Sequence, residues 1–281
     1  MIRVGNKEIR IEKFPDGTPR IKLDVNEINF ANNTTIIIDW YYDSMDELFY
    51  LGAIKKHIEE YFRITKIYLF MPYIPNARMD RCKNKDEVFT LKYFCDFINT
   101  LNFDRVYVLD AHSYVSVALL NHCVNIYPYE HISRHFIKIS YLSNDFVLYF
   151  PDAGSCKRYI DLFPDKPYCY GEKQRDWKTG KITGLEIRKN GVDLTGKTIL
   201  MIDDICSYGG TFKYSAEALK QCGCGDIYAF ATHTEDSVLD KEKGTFIKLL
   251  ENNTVERLFT TNSLFRGEHE KIDVMEVGYL S

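Results

Sequence analysis

Two adjacent carboxylates, Asp203 and Asp204, close an apolar run that begins at Thr198, and a small-residue turn, Ser207-Tyr208-Gly209-Gly210-Thr211, follows at once. A short apolar run bounded by turn residues suits a buried strand of a parallel sheet. Gly209 and Gly210 permit a tight bend and let backbone N–H groups approach a ligand. Thr211 stands where a helix begins, and unpaired N–H groups with the helix dipole favour an anion there. An acidic pair for hydroxyls or a metal, set beside an anion cradle, matches a sugar phosphate. Taken alone, the same pattern also describes an ordinary strand-to-helix turn with a solvated Asp pair.

Three further stretches carry charge at element ends. Arg78, Asp80 and Arg81 follow the apolar run Lys66–Met71 and a proline-marked turn. Guanidinium forks match phosphate oxygens, so this segment reads as a site for the phosphates of ATP; alone it is equally a charged surface loop. Asp110-Ala-His112 ends another apolar run. The polar stretch Gly171 to Gly184 holds Lys173 and Arg175 and reads as a mobile loop. Cations on such a loop would offset charge developing on a transferring phosphoryl group, and closure would exclude water. Gly191-Val-Asp-Leu-Thr-Gly196-Lys197-Thr198 matches the Walker A letters, but a working P-loop follows a strand and opens a helix. Here Lys197-Thr198 leads into the strand, so the match is rejected.

Composition narrows the class. The chain has 281 residues, 45% apolar and 27% charged, with a formal net charge of −4. That is ordinary for a globular protein, and with no basic stripe it argues against nucleic-acid binding. The eight cysteines show no CxxC pair, and several sit in apolar segments as expected of reduced thiols. No signal core opens the chain and no apolar run is long enough to span a bilayer, which reads as a cytoplasmic protein without a membrane role.

The elements that must hold these groups alternate. Residues 1–31 read as short antiparallel strands about a Pro15–Gly17 turn. Thr35–Asp39, Lys66–Met71 and Arg105–Leu109 read as strands separated by helical segments at Met45–Phe62 and Glu87–Leu101. Phe146–Phe150, Thr198–Ile202, Asp226–Ala231 and Val255–Thr260 repeat the rhythm. The expectation is an α/β protein of two tandem Rossmann-like domains, residues 1–140 and 141–281, each a mainly parallel sheet flanked by helices, with ligands at the strands' C-terminal ends.

The loop Asp203–Thr211 resembles the phosphoribosyl pyrophosphate (PRPP) loop of phosphoribosyltransferases and of ribose-phosphate pyrophosphokinase. The remaining segments are similar to the latter family alone: Phe14-Pro-Asp16-Gly17-Thr18 to an adenine-holding turn supplied by a neighbouring subunit, Arg78–Arg81 to an ATP-contacting segment, Asp110-Ala-His112-Ser113 to a segment beside the triphosphate and metal, Pro151-Asp152-Ala-Gly154 with Lys157-Arg158 to a segment binding Mg²⁺ and sugar, and Lys173 with Arg175 to the catalytic flexible loop. The resemblance runs from about Phe14 past Thr261. It implies a phosphoribosyltransferase-like fold in both domains and attack by the C1 hydroxyl of ribose 5-phosphate on the β-phosphorus of MgATP, giving PRPP and AMP in nucleotide metabolism. On that resemblance Phe14, Asp16, Arg78, Asp80, Arg81 and His112 bind ATP, and Asp152, Asp203, Asp204, Ser207, Tyr208, Gly209, Gly210 and Thr211 bind the ribose phosphate. His112 and Asp152 hold Mg²⁺; Lys173, Arg175, Asp203 and Asp204 are the catalytic group. A homodimer or higher homo-oligomer is implied.

The chain departs from that pattern around the loop. Ser207-Tyr208 stands where the family carries Asp-Thr or Asp-Gly, so a carboxylate is missing and an aromatic ring has arrived at the sugar's 5-end. Asn76, Met79, Tyr114 and Thr18 are further departures. An acceptor extended beyond the 5-phosphate, such as ADP-ribose, is the alternative expectation, with Tyr208 as a stacking surface. A catalytically silent regulatory relative and a simple phosphoribosyltransferase are the remaining alternatives.

Overall fold

The computed structural model describes residues 1–28, 30, 34–129, 132, 146–175 and 182–279. The chain divides into two compact units, Met1–Tyr127 with Glu276–Ser281, and Pro128–Met275. The last residues return to the first unit. Val277 packs with Tyr41, Phe70 and Leu109, and its carbonyl accepts a 2.5 Å hydrogen bond from Tyr41 Oη. The expected boundary at residue 140 lies outside the described residues.

The first unit comprises β1 (Ile2–Val4), β2 (Lys7–Glu8), β3 (Arg10–Lys13), β4 (Pro19–Lys22), β5 (Thr35–Trp40), α1 (Glu47–Tyr61), β6 (Lys66–Phe70), α2 (Thr90–Thr100), β7 (Arg105–Leu109), α3 (Tyr114–Leu119) and β8 (Cys123–Ile126). Its six-stranded sheet has the order β2-β1-β5-β6-β7-β8, parallel from β5 to β8 with β1 antiparallel at β5. Strands β3 and β4 form a separate ribbon about the Pro15–Gly17 turn. Alternation along β5 to β7 sends Ile38, Leu69 and Val108 into a core with Leu51, Ile54 and Ile58 of α1 and Phe94 and Ile98 of α2.

The second unit comprises β9 (Phe146–Phe150), α4 (Ala153–Tyr159), β10 (Tyr168–Arg175), β11 (Ile182–Arg188), β12 (Thr198–Cys206), α5 (Gly210–Gln221), β13 (Ile227–Thr234), α6 (Phe246–Glu251), β14 (Arg257–Thr261) and β15 (Ile272–Met275). Its sheet order is β11-β10-β9-β12-β13-β14-β15, all parallel but for β11. Both faces are covered, which explains why β9 is buried at every position. One face packs Val147, Ile199, Met201 and Ala229 against α5 and α6. The other packs Leu148, Leu200, Ile202 and Phe230 against Tyr159 of α4 and Phe163.

Three expectations change in the structure. Strand β12 continues through both aspartates to Cys206 because β13 pairs with it that far, Cys206 facing Thr234. The stretch expected as a mobile loop is largely an antiparallel ribbon, β10 with β11, with a register shift between Gln174 and Arg175; residues 176–181 lie outside the described residues. Pairing partners that far along the chain are invisible to local polarity. Strands β8 and β15, at the sheet edges, were also missed. No helix among the described residues is long and apolar enough to cross a membrane.

Candidate active site

The chain runs from β9 through α4 to β10 on one side of β9, then returns to β12 on its other side. Connections that leave a strand in opposite directions open a crevice outside the strands' C-terminal ends, the usual ligand position in such sheets. Two segments meet that crevice, Pro151-Asp152 after β9 and Asp203–Thr211 at the end of β12.

Asp152 is the N-cap of α4. Its Oδ1 accepts from the N–H groups of Gly154 and Ser155, both at 3.0 Å, and its own N–H donates to Ser155 Oγ at 3.2 Å, a reciprocal capping box. Gly171 of β10 lies close beside it: a Cβ there would fall 2.7 Å from the Pro151 carbonyl oxygen and 2.5 Å from Tyr149 Oη.

The acidic pair is asymmetric. Asp204 is buried and lies 3.0 Å from Nη1 of Arg158, which α4 delivers across the sheet face. Asp203 accepts a 3.1 Å hydrogen bond from the Asp204 N–H. Burial pushes the Asp203 carboxyl well above the usual carboxylate range, and the charge of Asp204, a shared side-chain hydrogen bond and the charge of Asp152 add to the effect. One member thus holds an ion pair while the other is harder to ionise than an ordinary carboxyl.

The turn after β12 is built for a tight bend. Gly209 has φ +87°, and a Cβ on it would lie 2.3 Å from Phe246 Cβ and 2.9 Å from the Phe246 backbone. The Tyr208 carbonyl accepts from Thr245 N–H (2.7 Å), Thr245 Oγ1 (2.8 Å) and Phe246 N–H (3.0 Å) at the start of α6. Ser207 Oγ donates to Glu235 Oε2 at 2.6 Å. Helix α5 then begins at Gly210, and its first backbone bond runs from Lys213 N–H to the Gly209 carbonyl at 2.9 Å. The N–H groups of Gly210, Thr211 and Phe212 therefore have no acceptor within the helix. A Cβ at Gly210 would meet nothing within 4 Å. The corner offers three donors and open space to an anion. Tyr208 keeps its ring half-exposed.

Residues Asp152, Asp203, Asp204 and Ser207–Thr211 are thus brought together in the second unit. Lys173 and Arg175 lie on the C-terminal part of β10. The remaining candidates belong to the first unit. After β6 the chain stays buried through Ala77 apart from half-buried Asn76, then emerges with Arg78 and Arg81 exposed and Asp80 half-buried. His112 follows β7, next to buried Asp110 in a left-handed conformation, φ +46°. Strands β6 and β7 are parallel neighbours, so both segments leave the same sheet edge. Phe14 and Asp16 stand apart at the tip of the β3–β4 ribbon, whose Lys13 pairs with Asp46 at 3.0 Å. Asp16 Oδ1 accepts from Thr18 N–H and Oγ1, so the turn itself accounts for that carboxylate. Phe14 is half-exposed.

In the sequence Arg158 stands out only as part of the Asp152–Arg158 motif, and Glu235, Ser237 and Thr245 carry no motif of their own. The polar run Glu235–Ser237 directly after β13 is the available signal, since ligands gather at the C-terminal ends of parallel strands.

No protein-family model matches the chain. It is 25% identical over 287 aligned residues to ribose-phosphate pyrophosphokinase 1 of Streptococcus mutans, covering 98% of this chain and 82% of that one. It is 29% identical over 241 residues to ribose-phosphate pyrophosphokinase of Pyrococcus abyssi, covering 82% and 78%. Among solved structures, phosphoribosylpyrophosphate synthetase of Mycobacterium smegmatis superposes with a TM-score of 0.72 at 18% identity, over 96% of this chain and 86% of that one. That likeness shows that the chain shares the fold of the Mycobacterium smegmatis protein over nearly its whole length.

Proposed function

We propose, from the chain's standing with the ribose-phosphate pyrophosphokinases in sequence and fold, that it transfers the β,γ-diphosphoryl group of MgATP to the anomeric hydroxyl of ribose 5-phosphate, releasing AMP. The observation that carries the reading is the crevice of the second unit. There an acidic pair adjoins a helix N-terminus whose first-turn amides and open Gly210 can take a phosphate.

In this reading Gly209, Gly210 and Thr211 seat the 5-phosphate, and Ser207 and Tyr208 shape the turn. Asp203 and Asp204 orient the ribose hydroxyls, so the anomeric oxygen is presented in a fixed direction. Arg158 holds Asp204 in place. Arg78 and Arg81, with Asp80 between them, and His112 bind the ATP phosphates. Lys173 and Arg175 offset charge on the oxygens of the transferring group. No group of three or more His, Cys, Asp or Glu among the described residues forms a preset metal cage. That fits Mg²⁺, which takes one or two carboxylates and fills its other positions with water and substrate phosphates. Asp152 is such a carboxylate and would hold the ion, which would neutralise phosphate oxygens when bound; the imidazole of His112 suits a phosphate better than Mg²⁺.

Nothing in the similarities favours ADP-ribose as acceptor, since the relatives are named for ribose phosphate. A homodimer or larger homo-oligomer follows if the β3–β4 tip serves a neighbour's adenine, and the half-exposed ring of Phe14 supports that use. The eight free thiols accord with a cytoplasmic setting.

The test is AMP release from MgATP with ribose 5-phosphate, with ADP-ribose, and with neither. Ribose 5-phosphate-dependent AMP, with a diphosphate at the anomeric carbon by phosphorus NMR, is the expected result. AMP release indifferent to ribose 5-phosphate would defeat the reading.

A further inference from the structure

The turn between β12 and α5 is clamped from two sides by residues far along the chain. On one side Ser207 Oγ lies 2.6 Å from Glu235 Oε2 and 3.1 Å from Ser237 Oγ, and Ser237 Oγ lies 3.3 Å from the same carboxylate oxygen. Glu235 stands immediately after β13, and its N–H still donates to the Cys206 carbonyl at 2.8 Å. The sheet itself therefore registers this carboxylate against the first residue of the turn. On the other side the start of α6 holds the Tyr208 carbonyl by three hydrogen bonds and presses Phe246 onto Gly209.

A hydroxyl carries one proton. At 2.6 Å from a carboxylate oxygen, the Ser207 proton is committed to a strong charge-assisted bond and is not available to a bound anion. The amides of Gly210, Thr211 and Phe212 remain the donors that the corner presents. A carboxylate turned toward a phosphate would repel it; here it is turned to the hydroxyls of Ser207 and Ser237 instead.

We propose that Glu235 is a positioning residue for the sugar-phosphate end of the site: through Ser207 it fixes the path of the turn so that the amides of Gly210–Phe212 converge on the terminal phosphate. This rests on the diphosphokinase reading of the crevice. Glu235 acts on the substrate only through the loop, so its loss weakens acceptor binding more than it slows the chemical step.

The experiment compares Glu235→Ala, Glu235→Gln and Ser207→Ala with the wild type. Glu235→Ala is expected to raise KM for ribose 5-phosphate roughly tenfold, with KM for ATP and kcat at saturating acceptor changed by less than about threefold. Glu235→Gln keeps an oxygen acceptor for Ser207 and should recover most of the loss. Combining Glu235→Ala with Ser207→Ala should cost no more than Glu235→Ala alone, because both remove one interaction. Amide hydrogen exchange over residues 207–213, measured without substrate, should quicken in Glu235→Ala. A wild-type KM with wild-type exchange, additive single effects, or a Gln variant as impaired as Ala would each overturn the proposal. If the wild-type protein releases no acceptor-dependent AMP, it is the diphosphokinase reading that fails. Loop exchange and titration with inorganic phosphate then decide the clamp: quicker exchange with weaker phosphate binding in Glu235→Ala supports it, and no change in both sinks it.

Discussion

Two adjacent glycines separate what the fold needs from what the substrate needs. Gly209→Ala places a Cβ 2.3 Å from Phe246 Cβ and 2.9 Å from backbone atoms of α6, at φ +87°. The left-handed backbone costs an alanine about 1–2 kcal/mol. Forcing a methyl against packed backbone adds about 1–3 kcal/mol, for a total of about 2–5 kcal/mol. At about 2–4 °C per kcal/mol for a unit of this size, the melting temperature should fall by roughly 4–20 °C. Gly210→Ala differs in both respects. Its backbone is helical and its Cβ meets nothing within 4 Å, so stability should be unchanged or rise by up to about 1 kcal/mol. That methyl would nonetheless stand in the space assigned to the phosphate, and KM for ribose 5-phosphate should rise at least about tenfold. Thermal denaturation by circular dichroism, with steady-state kinetics on the same samples, tests both. A Gly209→Ala protein that melts with the wild type would refute the packing argument. A Gly210→Ala protein with wild-type KM would refute the phosphate assignment.

Other perturbations probe separate parts of the molecule. Arg158→Ala strips the counter-charge from buried Asp204 and should cost about 2–4 kcal/mol together with a raised KM for the acceptor; urea denaturation that shows no loss would contradict the pairing. Asp39, buried in the first unit, has its carboxyl pushed up to about 6 by burial, with Arg3 opposing. Its folded pKa exceeds the unfolded value of about 3.9, so the folded state binds the extra proton and stability falls as pH rises from about 4 to about 6, then levels. Asp39→Asn should flatten that slope by about 2–3 kcal/mol in denaturation measured across this range; parallel curves for the two proteins would argue against it. Lys173→Ala should lower kcat by roughly 10²–10³-fold while calorimetry still detects ATP binding; an unchanged rate would remove Lys173 from the chemistry.

The groups assigned to the sugar phosphate lie close together along the chain. Asp203, Asp204, Gly209, Gly210 and Thr211 span nine residues, and their chemistry depends on strand polarity, glycine freedom and helix-end donors, all local properties. The α/β alternation was legible for the same reason: Phe146–Phe150 and Thr198–Ile202 are apolar runs between turn residues, and the structure makes them β9 and the start of β12. Polarity misled at Gly171–Arg175 and Ile182–Gly184, where strand pairing at the sheet edge outweighs composition. What holds the turn in shape was not legible. Glu235 is 28 residues from Ser207, Arg158 lies on α4 while Asp204 lies on β12, and Phe246 sits behind Gly209 only because α6 packs there. Nor could the return of Val277 to Tyr41 be read from residues 236 positions apart. The amino-acid sequence alone determines which chemistry the corner can do, because donors, acids and glycines act through their own backbone. The tertiary structure alone decides which side chains support that corner, because neighbours in a parallel sheet are distant along the chain and meet only when the crossovers close.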